Sequence, residues 1–291
     1  MKKMTKILFG FLAVAMLGAV LAGCGGSKEA AAPAATDAQA PAEEAKQEFR
    51  VGMECGYPPF NWTQLEDNGI PIEGTEEFAD GYDVQMAKKI ADGLGRELVV
   101  VKTEWDGLVP ALQSGVIDAI VAGMSPTEER KVSIDFSENY YRSNLVIIVK
   151  KGSAFENATS LEDFKGAKIA AQLNTFHDTV IDQIPEVEHQ TPMTDFPTMR
   201  VALESGIIDG YVGERPEGMS ATAANPNFAC VTFEEGKGFV CSDDDVAIAV
   251  GVAKGQEDFL ASINEILNGV SEEERLEIMD QAVLNQPVSQ E

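Results

Sequence analysis

The chain has 291 residues, 44% hydrophobic and 24% charged, with a formal net charge of −26. That length suits about two domains with a sizeable core, and the composition excludes a disordered, collagen-like or polytopic membrane chain. The acidity argues against nucleic acid and anionic membrane surfaces, and two histidines with four scattered cysteines leave little for a metal site, so no metal and no cofactor are expected.

Met1 to Lys6 carries three lysines and no acid, and Ile7 to Ala22 is an unbroken apolar run of 16 residues. The run is shorter than the ~20 residues of a membrane span and fits the core of a signal peptide. Leu21-Ala22-Gly23-Cys24 follows and resembles the lipobox of bacterial lipoproteins. The resemblance implies cleavage before Cys24 and two acyl chains on the protein, which anchor stably where one is marginal. An ordinary secretory signal with a chance cysteine is the alternative. Residues 1–23 are therefore predicted as a signal peptide and 24–46 as the lipidated Cys24 with a disordered tether. Alanine is the only aliphatic residue between 25 and 46, too little to offset ordering entropy.

Phe49 to Met53 reads as a first strand, running into Glu54-Cys55-Gly56-Tyr57-Pro58-Pro59-Phe60-Asn61-Trp62. Asp83 to Leu94 has apolar residues at helical spacing and stops at Gly95; Glu97 to Val101 reads as a strand. Trp105-Asp106-Gly107-Leu108 opens a helix that leads into Ala111-Leu112-Gln113-Ser114-Gly115-Val116-Ile117-Asp118-Ala119-Ile120-Val121. This stretch recurs 91 residues later as Ala202 to Val212, with seven of eleven positions identical. Each copy ends a helix at glycine and enters a short strand, so one αβ unit is used twice, predicting two similar lobes.

Between and beyond the copies, Leu145 to Val149 reads as a crossing strand and Ser160-Leu161-Glu162-Asp163 as a helix start, stopped at Gly166. Ala167 to Gln172 reads as a strand, Thr175 to Ile184 as a helix, Asp245 to Val252 as a strand. Phe259 to Leu267 and Glu272 to Val283 read as closing helices. Gly236-Lys237-Gly238 looks like a hairpin turn that would bring Cys230 and Cys241 within disulfide range; Cys55 would stay a free thiol. The predicted fold class is α/β and two-lobed. Lobe 1 spans 47–142 plus 248–291, lobe 2 spans 146–244, and a hinge lies near Tyr141–Asn144 and Asp243–Asp245. A ligand cleft is expected between the lobes, outside the carboxyl ends of their strands.

Gly123-Met124-Ser125-Pro126-Thr127-Glu128-Glu129-Arg130 follows the first repeat. Ser125-Pro126-x-Glu128 reads as a capping box with proline at the first helical position, and Arg130 can present its planar fork to a carboxylate. A plain cap with a surface arginine is the alternative. Glu214 stands 91 residues after Gly123, at the equivalent end of the other lobe, where it could face an ammonium. A cation on one lobe and an acid on the other match the two charges of an α-amino acid. Tyr57 and Trp105 would wall the same end. For each aromatic alone core packing is the commoner role, and together at one sheet end they favour a pocket.

Gly-x-x-x-x-Tyr-Pro-Pro-Phe (52–60), Gly81-Tyr82-Asp83-Val84, Trp105 to Leu112 and Gly123 to Arg130, in this order, closely resemble family-three bacterial extracellular solute-binding proteins. These are polar amino-acid receptors of ABC importers. The resemblance covers about 48–285 and implies a periplasmic-binding-protein-like clamshell. It implies that Arg130 clasps the ligand α-carboxylate with Gly123, Ser125 and Thr175, and that Glu214, where the family usually has aspartate, holds the α-ammonium. Tyr57 and Trp105 fall where the family sandwiches the ligand side chain, and Glu54 where cation-binding members keep an acid. The implied protein is no enzyme. It is a monomeric, extracytoplasmic lipoprotein, anchored to the cell membrane through Cys24, that passes a free L-amino acid to importer permease subunits. Lysine or arginine is the expected ligand, since Glu54 is left as an unpaired acid. A polar neutral amino acid such as glutamine is one alternative. A dehydratase-like enzyme using Glu54, Glu214 or His177 is another, and a structural or adhesive lipoprotein a third.

Overall fold

The structure, a computed structural model, describes residues 46–287, so the predicted signal peptide, Cys24 and nearly all of the tether lie outside the described residues. The chain begins with β1 (Glu48–Met53), β2 (Gly56–Tyr57), β3 (Asn61–Gln64), β4 (Ile70–Pro71), β5 (Phe78–Asp80), α1 (Tyr82–Leu94) and β6 (Glu97–Lys102). It continues through α2 (Trp105–Gln113), β7 (Ala119–Ile120), α3 (Glu128–Ser133) and β8 (Asp135–Arg142). After two residues it enters β9 (Leu145–Lys150), β10 (Lys168–Ala170), α4 (Phe176–Val180), β11 (Glu188–His189), α5 (Phe196–Ser205), β12 (Gly210–Glu214), α6 (Arg215–Ala224) and β13 (Phe228–Val231). It closes with β14 (Ala247–Val252), α7 (Glu257–Asn268) and α8 (Glu272–Asn285).

Two five-stranded sheets form the frame of the two-lobed α/β molecule, in the orders β6-β1-β7-β14-β8 and β11-β10-β12-β9-β13. They share one plan. Three parallel strands are followed by an antiparallel one, β14 in the first sheet and β9 in the second, and then an edge strand antiparallel to that. The chain leaves the first sheet after Arg142 and returns at Ala247, and the two crossings touch where Ser143 N–H donates to Val246 O at 3.0 Å. A small sheet, β2-β3-β5-β4, sits beside the first.

The sequence repeat has a physical meaning here. Asp118 and Asp209 stand at matching positions just before β7 and β12. Each carboxylate accepts the backbone N–H of a residue in the neighbouring parallel strand, Arg50 in one lobe and Lys168 in the other, at 2.9 Å in both. Each aspartate N–H donates back to the carbonyl of that same residue, at 2.7 and 2.8 Å. The repeated aspartate therefore sets strand register twice. The preceding glycines, Gly115 and Gly206, adopt φ of 74° and 77°, the left-handed conformation that ends each helix.

Four local expectations are corrected. Thr127, not Ser125, caps α3: its hydroxyl accepts Arg130 N–H, while the Ser125 hydroxyl is drawn away to donate to Asp245 O at 2.8 Å. The Ser160 capping box forms but leads only into a 3-10 turn, Leu161–Phe164, because the backbone turns extended at Lys165. The helix predicted from Thr175 to Ile184 is a five-residue helix followed by a 3-10 turn at Ile181–Gln183. The expected hairpin between Cys230 and Cys241 does not form. Cys230 pairs along β9 opposite Ile148 and Cys241 packs beside a different apolar cluster, so both are free thiols, as is the buried Cys55.

Candidate functional site

Asp83, fully buried at the start of α1, organises the floor of the cleft. It accepts Tyr140 O–H at 2.6 Å and Asn61 Nδ2–H at 2.8 Å, and the backbone of Gly123 also hydrogen-bonds to it. Asn61 in turn accepts Cys55 N–H at 2.8 Å through Oδ1, which fixes the turn leading to Tyr57. Burial pushes the Asp83 carboxyl up to about 6, against these hydrogen bonds. Gly123 has φ of 62°, and a Cβ there would stand 2.7 Å from Tyr57 Cε1; glycine lets the tyrosine ring lie over the backbone.

Tyr57, Trp105, Gly123, Ser125, Arg130, Thr175 and Glu214 line one cavity between the lobes, together with Gln172, Phe176, His177 and Phe196. Of the sequence-predicted set, Glu54 alone stands behind this wall: its Oε1 accepts Gln172 Nε2–H at 3.0 Å, and Gln172 lines the cavity. The cavity volume is about 10 Å³, roughly the space of one water molecule.

Arg130, at the third position of α3, donates Nη1–H to Ser125 O at 3.0 Å and Nη2–H to Asn174 O at 3.3 Å, with its guanidinium carbon 5.0 Å from the Trp105 ring centroid. No carboxylate among the described residues forms an ion pair with it. Burial lowers its pKa to about 10, so it stays charged at neutral pH. Asn174 offers its carbonyl from a left-handed backbone, φ 56°, and its side chain donates to Asp106 across the cleft at 2.8 Å. Thr175 caps α4 and donates its hydroxyl to Gln172 O at 2.7 Å.

Glu214, 3% exposed, ends β12 on the opposite wall. Tyr57 O–H donates a short hydrogen bond to its Oε2, and His177 Nε2 lies 2.9 Å from its Oε1. Burial pushes this carboxyl up, but the His177 charge and the hydrogen bonds from His177 and Tyr57 outweigh it and hold the group below the usual carboxylate range. Contact geometry is less generous to the histidine: neither ring nitrogen of His177 has an in-line partner. The contact is one of proximity rather than an aligned hydrogen bond. Tyr57 also stacks on Phe196 of the other lobe, ring centroids 4.3 Å apart and planes 4° from parallel.

Glu54 has the opposite balance. Burial, followed by the weaker pull of the Gln172 hydrogen bond and the repulsion of Asp195, Glu104 and Asp106, leaves it up at about 8, and its Oε2 is buried without a partner. Phe196, His177, Asn174 and Gln172 were not singled out as binding residues from sequence. Gln172 and Asn174 stand three and one positions before Thr175, and the sequence offers His177 only as an acid or base of the enzyme alternative. The Tyr57–Phe196 stack had no local signal at all, joining residues 139 positions apart. Among the described residues no cluster of three or more His, Cys, Asp or Glu could hold a metal.

Residues 49–284 match the family described as bacterial extracellular solute-binding proteins, family 3. Over 194 residues the chain is 33% identical to a probable histidine-binding protein of Campylobacter jejuni, covering 66% of this chain and 70% of that one. It is 28% identical over 231 residues to the L-cystine-binding protein TcyJ of Escherichia coli strain K12, covering 79% and 80%. A solved amino acid ABC transporter substrate-binding protein of Streptococcus pneumoniae, bound to L-arginine, is similar with a TM-score of 0.71 at 27% identity, over 81% of this chain and 94% of that one.

Proposed function

Since the chain belongs to the bacterial extracellular solute-binding proteins of family 3, we propose that it captures a free L-amino acid between its lobes and delivers it to the permease subunits of an ABC importer. The observation that carries this reading is the opposition of Arg130 and Glu214 on one cavity. Arg130 is a half-buried cation whose hydrogen bonds go to carbonyl oxygens, and Glu214 is a buried carboxylate held ionised. An α-carboxylate would give Arg130 a bidentate, charge-assisted partner, and an α-ammonium would serve Glu214. Ser125, Thr175 and Gly123 would flank the carboxylate, and Tyr57 and Trp105 the side chain.

The ligand we favour is cationic, lysine or arginine. Glu54 supports it: a carboxyl whose Oε2 is buried without a partner, with Asp195, Glu104 and Asp106 nearby, makes an acidic end that a distal cation would complete. The pneumococcal relative, bound to L-arginine, supports it too. Glutamine is the second reading, because a Glu54 held neutral at pH 7 can exchange hydrogen bonds with an amide. The lobes we propose are 47–142 plus 248–291 and 146–244, turning about 141–144 and 243–245. Ser125 and Lys131 reach Asp245 and Asp244 there, which would couple the Arg130 helix to that turning point. We propose further that lipidated Cys24 and the segment to residue 46 tether a monomeric body outside the cytoplasm.

A thermal-shift screen of the soluble body against the twenty amino acids, ornithine and cystine tests the reading. A shift confined to lysine, arginine or ornithine is the expected result. No shift with any amino acid overturns the receptor, and turnover of a bound cyclic acid would make the protein an enzyme.

A further inference from the structure

Resting on that reading, we propose that Asn174 is a latch residue: its side chain ties the second lobe to Asp106 of the first across the mouth of the cleft, and so holds a bound amino acid in place without touching it. Asn174 Nδ2–H donates to Asp106 Oδ1 at 2.8 Å. Asp106 lies in the first turn of α2, which packs on β1 and β7 of the first sheet. Asn174 follows β10 of the second sheet and precedes α4, which packs on β12.

The backbone at this position argues for the side chain. Asn174 has φ of 56°, a left-handed conformation that glycine enters without steric cost. Asparagine elsewhere tolerates it by bonding its own nearby backbone, yet here the side-chain N–H reaches a residue 68 positions away. The carbonyl of the same residue accepts Arg130 Nη2–H at 3.3 Å and faces Trp105 Nε1 at 3.5 Å. Trp105, Asp106 and Arg130, all on the side of the first sheet, thus converge on one residue on the side of the second. Among the described residues Asp106 forms no ion pair, and Asn174 is its side-chain donor.

The pair also stands where a ligand would pass. Outside the inner cavity lies a groove of about 630 Å³, lined by Asn174 together with Thr127, Arg130, Thr175 and Phe176 among others. Arg130, Thr175 and Phe176 line the inner cavity as well, whereas Asn174 lines only the groove. Asn174 is therefore at the boundary between the two, beside the cation that would hold the ligand carboxylate.

Both latch residues are exposed, so their bond is of modest strength. Its leverage comes from closure. The bond exists only when the lobes are together, so all of it enters the equilibrium between open and closed forms. Entry into an open cleft does not use the bond, and release must break it. Its removal should therefore speed release about three- to tenfold and leave the association rate unchanged. The factor should be the same for different amino acids, because no ligand atom takes part.

Asn174→Gly deletes the side chain and keeps the left-handed backbone with its carbonyl, and Asp106→Ala deletes the acceptor. Stopped-flow kinetics with L-arginine and with L-glutamine should show faster dissociation in each variant, by one factor for both ligands. The double variant should be little faster than either single one, because both remove the same bond. Dissociation within about twofold of wild type in Asn174→Gly overturns the latch, as do effects that multiply in the double variant, or a factor that differs between the two ligands. Small-angle scattering without ligand separates this proposal from the receptor reading: the radius of gyration should be larger in Asn174→Gly than in the wild type. If no amino acid binds the wild type, the receptor reading falls and that comparison decides the latch, an equal radius rejecting it.

Discussion

Replacing Glu54 by glutamine should make the ligand-free protein more stable at neutral pH and at the same time less able to bind a cationic amino acid. The carboxyl is pushed from 4.5 to about 8 in the folded protein, chiefly by burial. A raised carboxyl binds its proton more tightly folded than unfolded, so stability declines as pH rises from about 4.5 and levels off above about 8. At pH 7 the unfolded chain would ionise freely, and keeping the group neutral in the fold costs about 3 kcal/mol, an upper figure for a side chain with some access to water. Glutamine keeps the shape, and its side-chain carbonyl can still accept the Gln172 N–H, without that cost. Thermal denaturation of wild type and Glu54→Gln at pH 4.5 and pH 7.5 reads the effect: a gain at 7.5 and almost none at 4.5. Equal melting shifts at both pH values, or destabilisation at 7.5, would refute the burial argument. In binding, the variant should lose lysine or arginine relative to glutamine by about 2 kcal/mol, the difference expected for a hydrogen bond to a charged group. If it weakens all ligands equally, Glu54 is a structural acid and the cationic reading falls while the receptor reading stands.

Arg130→Ala should cost about 2–5 kcal/mol of amino-acid affinity, the loss of one partner of a desolvated charge pair, with the fold intact; calorimetric affinity within about threefold of wild type would remove Arg130 from the site. Gly123→Ala should weaken or abolish binding, because the new methyl meets the Tyr57 ring at 2.7 Å from a backbone of positive φ; unchanged affinity with an unchanged melting temperature would contradict it. Small-angle scattering should show a different radius of gyration with and without saturating ligand, since the present cavity is too small for an amino acid and the lobes must part to admit one. An identical radius in both conditions would count against a turning motion. Cys24→Ser should leave the precursor uncleaved or release the body from the membrane fraction, and normal processing with normal retention would reject the lipid anchor.

Local chemistry determined a good deal of this protein from sequence alone. Helical spacing ending at a glycine marked α1. The duplicated Ala-Leu-x-Ser-Gly unit announced two related α/β lobes, because an aspartate that pins the neighbouring strand must recur wherever the same unit is built. The opposite charges of Arg130 and Glu214, placed after the two copies, pointed to a zwitterion, because equivalent strand ends face each other when two sheets of one plan are apposed. Tertiary structure decided which groups meet there. Thr127 and Ser125 are both competent caps, and only the nearness of Asp245 O, 120 residues away, draws Ser125 off and leaves the helix to Thr127. Cys230 and Cys241 sit at a plausible hairpin spacing, yet pairing of Cys230 along β9 sends them into different clusters. The Tyr57 hydroxyl on Glu214, and the Gln172 amide that stands between Glu54 and the cavity, are contacts across the cleft. No periodicity or local spacing encodes them, because such contacts exist only once both lobes have folded and the crossings have set the distance between them.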